Sequence, residues 1–306
     1  MINTLKIKTG YVSILGLPNS GKSTLMNSLI GQKLSITTNK PQTTRKRILG
    51  ILSEKDYQVI FLDNPGILKP GYLLQEKMME AVNQSVKDAD VFLIIIDIDA
   101  DPDGSKILNN DFVKKMHVKN NKPQILIINK IDLSTQDFVK NLIENINKTK
   151  LFEKIIPISA SLSFNLHEVI SSIVEYLPEG PKLYPDDIVA DENERFFVSE
   201  IIREKILELY QEEIPYSIEV LISDFKEREN NKNYISAEIV VEKESQKGII
   251  IGKKGAAIKK LGLAAREAVE DFLQKEIYLD LRVKIRRKWR SNENMLKTFG
   301  YSRDKE

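Results

Sequence analysis

The chain of 306 residues has no cysteine, two histidines and one tryptophan, and its longest apolar stretches, such as Val91 to Ile96, are far too short to span a bilayer. Without cysteine there are no disulfides, no thiolate zinc sites and no thiol nucleophile. His117 and His167 lie in unrelated segments with no paired ligand spacing, so each is expected at the surface or at its boundary. The opening MINTLKIKTG lacks the basic-then-apolar pattern of a secretory leader. These absences place the expected location in the cytoplasm. At ~150 residues per domain the length suits two separate cores.

Charge is divided unevenly along the second half. From Lys182 to Glu244 there are 8 basic residues against 17 acidic ones, and from Lys247 to Arg290 the counts are 13 against 5. A basic block of this size in a near-neutral chain is the footprint of a polyanion contact.

In the first half, β-branched runs alternate with polar loops and helical stretches: YVSIL at 11–15, QVIFLD at 58–63, VFLIIID at 91–97, QILIIN at 124–129 and KIIPIS at 154–159. Such alternation predicts an α/β domain on a mostly parallel sheet, with ligands bound beyond the carboxyl ends of its strands. The loop after the first run reads GLPNSGKS, from Gly16 to Ser23, and leads into a helix-like segment. This GxxxxGKS pattern between strand and helix predicts a phosphate loop. Its backbone from Gly16 through Pro18, Asn19, Ser20 and Gly21 wraps the phosphates. Lys22 reaches the outer ones, and Ser23, with Thr24 behind it, opens the helix and ligates Mg²⁺.

Three further loops complete the pattern. In DNPG, Asp63 is placed to hold Mg²⁺ and Gly66 to offer its N–H to the γ-phosphate. In NKID, Asp132 can accept from the guanine ring N–H and amino group, while Asn129 and Lys130 shape the base pocket; adenine would leave the carboxylate without donors. Ser159, Ala160 and Ser161 form a loop in which the Ala160 N–H is expected to donate to the guanine carbonyl. Between the first two loops, PQTTR supplies a threonine for the Mg²⁺ shell, with Thr44 favoured and Thr43 the competitor. Lys22, Thr44 and Gly66 are the catalytic candidates for hydrolysis of GTP to GDP, and Ser23, Thr44 and Asp63 the metal ligands. Ile67 occupies a position where an alkyl chain cannot orient water, so intrinsic hydrolysis is expected to be slow, on the order of 10⁻⁴ to 10⁻² per second.

The proline- and glycine-rich stretch from Tyr176 to Pro185 predicts a boundary, giving a G domain over 1–177, a linker over 178–190 and a second domain over 191–306. The second domain reads as a helix from Arg195, strands over 214–223 and 235–242, the loop GKKG at 252–255 between two helical pieces, and a strand over 278–287. That order, with GxxG between its middle helices, predicts an α+β KH module of the second topological type. The RNA-contact candidates are Gly248, Ile251, Gly252, Lys253, Lys254, Gly255 and Lys259, the outward Arg282, Lys284 and Arg286 of the last strand, and Trp289.

Taken together, GLPNSGKSTLMNSLIGQKLSITT, PQTTR, DNPG, NKID, LPEGPKLYPDD and KGIIIGKKGAAIKKLG resemble the Era family of bacterial ribosome-associated GTPases across nearly the whole chain. The resemblance implies a P-loop, Ras-like G domain followed by the KH module, with GTP as substrate and Mg²⁺ as cofactor. It implies binding of the 3′ end of small-subunit rRNA, a role in 30S subunit maturation, and a peripheral contact with the cytoplasmic membrane as the alternative setting. Asn19 stands where related G domains hold K⁺; as a loop residue it also suits a turn. Asn64 departs from the usual threonine. A monomer is expected.

Overall fold

The computed structural model describes residues 7–229 and 231–301; the extreme ends of the expected domains lie outside the described residues. Two compact units emerge.

The first unit holds most of the chain up to Asp191. Its strands are β1 (Ile7–Gly16), β2 (Ile48–Ser53), β3 (Tyr57–Asp63), β4 (Val91–Asp97), β5 (Gln124–Asn129), β6 (Lys154–Pro157) and the two-residue β7 (Glu179–Gly180). Its helices are α1 (Lys22–Ile30), α2 (Leu73–Asp88, its first residues belonging to the second unit), α3 (Ser105–Leu108), α4 (Asp111–Lys119), α5 (Gln136–Asn147) and α6 (Leu166–Tyr176). The sheet order is β2-β3-β1-β4-β5-β6, parallel from β3 to β6, with β2 antiparallel at one edge and β7 beside β1. Every residue of β4 and β5 is buried. Continuous apolar runs therefore become central strands, covered on both faces by helices.

Two features go beyond the sequence reading. The strand β2 was not anticipated, because it enters as an antiparallel edge outside the strand-loop-helix rhythm; a Cβ at its Gly50 would come within 2.2 Å of Ile30 Cδ1. The stretch 178–190, expected as the linker, packs against the sheet. Ile51 N donates to Val189 O at 2.8 Å, and Gln58 Oε1 accepts from the backbone of Leu183 and Tyr184 at 2.7 and 3.0 Å. Its prolines forbid a helix, but its extended backbone satisfies open groups of β2.

The second unit comprises 192–306 together with the short segments 36–43 and 70–77. Its elements are α7 (Glu194–Leu209), α8 (Ile214–Ser217), β8 (Glu219–Lys226), β9 (Asn233–Val241), α9 (Glu244–Ile251), α10 (Ala256–Leu273), β10 (Ile277–Ile285) and α11 (Glu293–Thr298). The sheet runs β10-β9-β8, parallel between β9 and β10 and antiparallel between β8 and β9. Ile235, Ala237, Ile239 and Val241 form one fully buried face under α7 and α10, as their alternation predicts. The strand expected from 214 instead begins at Glu219, since Pro215 sits in the first turn of α8, where its missing N–H costs nothing.

Buried charge ties the two short segments into this unit. Arg203, 1% exposed, pairs with Glu200 and donates to Thr43 O; Thr37 N donates to Glu204 Oε1 at 3.0 Å; Lys40 reaches the carbonyls of Leu207 and Tyr210. Burial opposes the Arg203 charge, and the adjacent Glu200 carboxylate outweighs that penalty, so the guanidinium stays cationic. On the other segment, Tyr72 Oη donates to Gln42 Oε1 at 3.1 Å and lies under the Arg290 guanidinium, 5.1 Å from the ring centre.

Candidate nucleotide and RNA sites

The phosphate loop turns between β1 and α1 with Asn19 and Gly21 in the left-handed region, at φ 66° and 94°. A Cβ on Gly21 would come within 2.2 Å of Asn129 Nδ2, so both conformation and space demand glycine there. Lys22 is buried, its ammonium donating to Leu17 O at 2.9 Å, and burial pushes its pKa down to about 8 against the pull of the Asp63 carboxylate.

At the start of α1, Ser23 Oγ donates to Asp63 Oδ2 at 2.6 Å and lies 2.8 Å from Thr44 Oγ1. Of the two competing threonines the structure brings Thr44 to this cluster; Thr43 Oγ1 bonds instead to Lys40 O and Thr38 Oγ1, at 2.6 and 2.7 Å. Burial pushes the Asp63 carboxyl up, opposed by the Ser23 hydroxyl and the Lys22 charge, and Asp63 Oδ1 is buried without a hydrogen-bond partner. An all-oxygen set with one orphaned carboxylate oxygen fits Mg²⁺, a hard cation that takes oxygen ligands. Gly66 packs against the same loop: an added Cβ would meet Pro18 Cα and N at 2.7 Å. Ile67 is 3% exposed, belongs to the core, and donates its N–H to Gly16 O at 3.0 Å, so its side chain has no part in positioning water. The unexpected Asn64 is a buried strut, its Nδ2 donating to Ser13 Oγ, Ile14 O and Leu62 O at 2.9 to 3.2 Å.

The base loops follow β5 and β6. Asp132 is exposed and open to a base, and Lys130 is held by Asp97 at 2.5 Å. Asn129, at 2% exposure, braces the loops: its Nδ2 donates to Ser20 O at 2.9 Å, and its Oδ1 accepts from Ala160 N at 3.0 Å. The Ala160 N–H, expected to face the guanine carbonyl, is thus engaged with Asn129. Ser159 is buried and Ser161 exposed, their hydroxyls 3.4 Å apart. Asp97 was not singled out from the sequence, although an acid closing an apolar strand was a usable signal.

In the second unit, α9 ends at GKKG, where Gly252, Lys254 and Gly255 all have positive φ, at 72°, 51° and 78°. Tyr210 Oη anchors that end of α9 through Ile250 O at 2.8 Å. Lys253 and Lys254 are exposed, and the first turn of α10 has no side-chain cap, leaving N–H groups directed at the loop. Beginning at Ile258, three residues beyond GKKG, a groove of about 540 Å³ runs between α10 and β10, lined by Ile258, Lys259, Gly262, Leu263, Arg266 and Leu281 among others. Its floor is apolar and its rim basic, as a site for bases flanked by phosphates requires. Lys259 is the one RNA-contact candidate from the sequence that lines this groove; Gly262 and Leu263, which also line it, were not singled out because a helical apolar stripe reads as core, and Arg266 because it stands apart from the basic GKKG run.

Three expected contacts stand elsewhere. Arg282 and Lys284 point to the sheet face opposite Leu279 and Leu281, by strand alternation, and Arg286 follows the end of β10. Trp289 is a correction: it is 0% exposed, its Nε1 donates to Ser217 O at 3.0 Å, and its ring meets Phe299 edge-on, so it is a core residue of the carboxy-terminal cap and not a surface contact.

Strand-end loops of this kind on this sheet order make the first unit a P-loop G domain, and the helix, strand, strand, helix, helix, strand order of the second is that of a type II KH module. The comparisons agree. Residues 11–130 match the family model for a 50S ribosome-binding GTPase, and residues 213–290 match that for a KH domain. The chain is 45% identical to GTPase Era of Clostridium kluyveri over 96% of this chain and 99% of that protein. It is 44% identical to the chloroplastic GTPase ERA1 of Zea mays, over 96% of this chain and 70% of that one. Among solved structures, Era in complex with MgGDPNP and nucleotides 1506–1542 of 16S ribosomal RNA superposes with a TM-score of 0.89 at 41% identity, covering 97% of this chain and 99% of that one. An Aquifex aeolicus Era variant bound to GDP·AlF4⁻ gives the same TM-score and identity, over 97% and 100% of the two chains. The chain belongs to the GTPase Era family, and it is a GTPase.

Proposed function

We propose that this GTPase holds the 3′ end of small-subunit rRNA at GKKG and in the groove between α10 and β10, and that it acts in 30S subunit assembly under control of its nucleotide. The observation that carries this reading is the match, over nearly all of both chains, to an Era crystallised with MgGDPNP and 16S rRNA nucleotides. The basic rim and apolar floor of the groove in this chain suit the same kind of ligand.

In the G domain, Ser23, Thr44 and Asp63 would hold Mg²⁺, which when bound neutralises charge building on the phosphates. Lys22 binds the outer phosphates, Gly66 donates its N–H to the γ-phosphate, and Asp132 selects guanine. With Ile67 committed to the core, turnover depends on groups supplied by a partner or by a cation, and Asn19 makes K⁺ the candidate. The nucleotide signal passes by way of 36–43 and 70–77. Both segments are built into the second unit through Arg203, Glu204 and Arg290, and Thr43 there is joined by one peptide bond to Thr44. A monomer suffices for this scheme. Peripheral membrane contact is its rival, and no helix among the described residues is long and apolar enough to cross a membrane.

The test is GTP hydrolysis and RNA affinity with an oligonucleotide copying the small-subunit rRNA 3′ end, in K⁺ and in Na⁺, for the wild type and a Lys253→Glu, Lys254→Glu double variant. Replacing the lysines avoids the strain that any side chain would suffer at Gly252, where a Cβ would lie 2.5 Å from Ala257 Cβ. Tighter RNA binding with GTP than with GDP, lost in the double variant, supports the reading. Equal affinity in the two nucleotide states would remove the coupling, and stronger binding to anionic vesicles than to RNA would favour the membrane rival.

A further inference from the structure

The KH sheet has a face turned away from its helices. On it Tyr234 and Tyr278, register partners on the neighbouring strands β9 and β10, lie ring on ring with centroids 5.8 Å apart and planes 12° from parallel. The inner ring is oriented by its hydroxyl, 3.4 Å from Asp280 Oδ2, and the outer member, Tyr278, is 61% exposed. A tyrosine stacked on a second ring and open on the edge strand presents a flat π surface in a set orientation, which is what an unpaired base stacks on.

Charge around the pair suits the same ligand. Lys226 Nζ and Arg228 Cζ lie 5.8 and 5.9 Å from the Tyr234 ring centre. Farther along the face stand Arg282 and Lys284. Acids are present as well: in two pairs the acid is more covered than its base, Asp224 at 37% exposed against 61% for Lys226 and Asp280 at 27% against 60% for Arg282, while Glu276 at 75% is more open than its partner Lys232 at 55%. At the Lys226 and Arg282 pairs an approaching polyanion meets the cation first. The opposite end of this face is occupied by the tail, where Tyr301 Oη donates to Glu219 Oε2 at 2.6 Å.

The pair is continuous with the RNA groove. Glu270 of α10 accepts from Ile277 N at 2.9 Å and Gly262 lies beside Leu281, so β10 passes the groove with Tyr278 at the end remote from GKKG; Tyr278 and Lys232 border that end. From Gly255 to Arg266 the helix advances about 16 Å, and a KH groove clamps about four nucleotides. RNA leaving the groove there arrives at the edge strand. We propose that the Tyr278–Tyr234 stack is a second RNA contact, a platform on the outer sheet face that stacks one or two unpaired nucleotides beyond those in the groove. This rests on the RNA reading of the groove given above.

The experiment compares wild type, Tyr278→Ala and Tyr278→Phe in the full chain. The probes are single-stranded RNAs copying the 3′ end of small-subunit rRNA, one of about four nucleotides and one of about eight, the longer carrying 2-aminopurine at each flanking position in turn. The wild type is expected to bind the longer RNA about tenfold more tightly than the shorter, with 2-aminopurine fluorescence quenched at one flank. Tyr278→Ala should lose both the gain and the quenching, Tyr278→Phe should keep both, and the shorter RNA should bind all three proteins equally. Unchanged affinity and quenching in Tyr278→Ala overturn the platform while leaving the groove intact. Equal weakening of both RNAs also overturns it, since the tyrosine would then only support the groove. No binding of either RNA by the wild type would remove the groove reading and the platform with it.

Discussion

Asn129 Nδ2 donates to the carbonyl of Ser20, 109 residues earlier in the chain, at 2.9 Å. Its Oδ1 accepts from Ala160 N. One side chain thus joins the phosphate loop to the base loop after β6, in a position where a change in the base pocket is felt at the phosphates.

Removing that strut should weaken nucleotide binding without touching a nucleotide-contacting charge. Asn129→Ala leaves two buried partners unsatisfied, at about 1–3 kcal/mol, so the GDP affinity should fall by about tenfold or more. Titration with a fluorescent GDP analogue checks this, and an affinity within twofold of wild type would show the loops to be held by other contacts.

Gly66→Ala should separate binding from hydrolysis. Its Cβ would press on the Pro18 backbone at 2.7 Å, displacing the Gly66 N–H from the phosphate side of the loop. Single-turnover GTP hydrolysis should slow by about a hundredfold or more, the scale on which one lost transition-state donor is felt. GDP affinity should change little. Equal loss of both would mean that the substitution disrupts the whole phosphate loop.

Trp289→Ala should act on stability alone. Truncating a fully buried tryptophan costs about 3–5 kcal/mol, and here the Ser217 carbonyl also loses its donor. Denaturant unfolding should show the second unit melting early while GDP binding by the G domain persists. RNA affinity unchanged up to the onset of melting would agree with its place in the core.

The acid limb of stability should report on His117. This ring is half-buried, edge-on to Phe152 at 5.3 Å, and burial lowers its pKa below the ordinary value. The fold therefore favours the neutral form. Its contribution is complete above the unfolded pKa of ~6.5 and is lost as pH falls through the lower folded value. Between pH 7.5 and 5.5 the melting temperature should drop further for wild type than for His117→Phe. Parallel curves would assign the acid limb to other groups.

How much of this was legible in the sequence depends on the range of the interactions. The phosphate loop, Asp63 and Asp132 could be read because each loop is contiguous and its backbone is set by its own residues, as at Gly21 with its positive φ. The apolar runs of β4 and β5 likewise announced central strands, since burial on both faces leaves no polar alternation. The alternation in β9 and β10 gave the inward face correctly, yet it could not say that the groove lies on the helix side and that Arg282 and Lys284 look the other way.

The sequence by itself determined the two domain types, the guanine nucleotide chemistry and the position of GKKG, because motif, spacing and periodicity are local properties that survive without the fold. Only the tertiary structure decided that Thr44 and not Thr43 joins Ser23 and Asp63, that Trp289 is core, that the proline-rich stretch lines an edge strand, and that 36–43 and 70–77 belong to the second unit. Each of those outcomes rests on partners far away in the chain. Arg203 and Thr43 are 160 residues apart, and no local pattern records a hydrogen bond that exists only once both have been brought out of water to the same place.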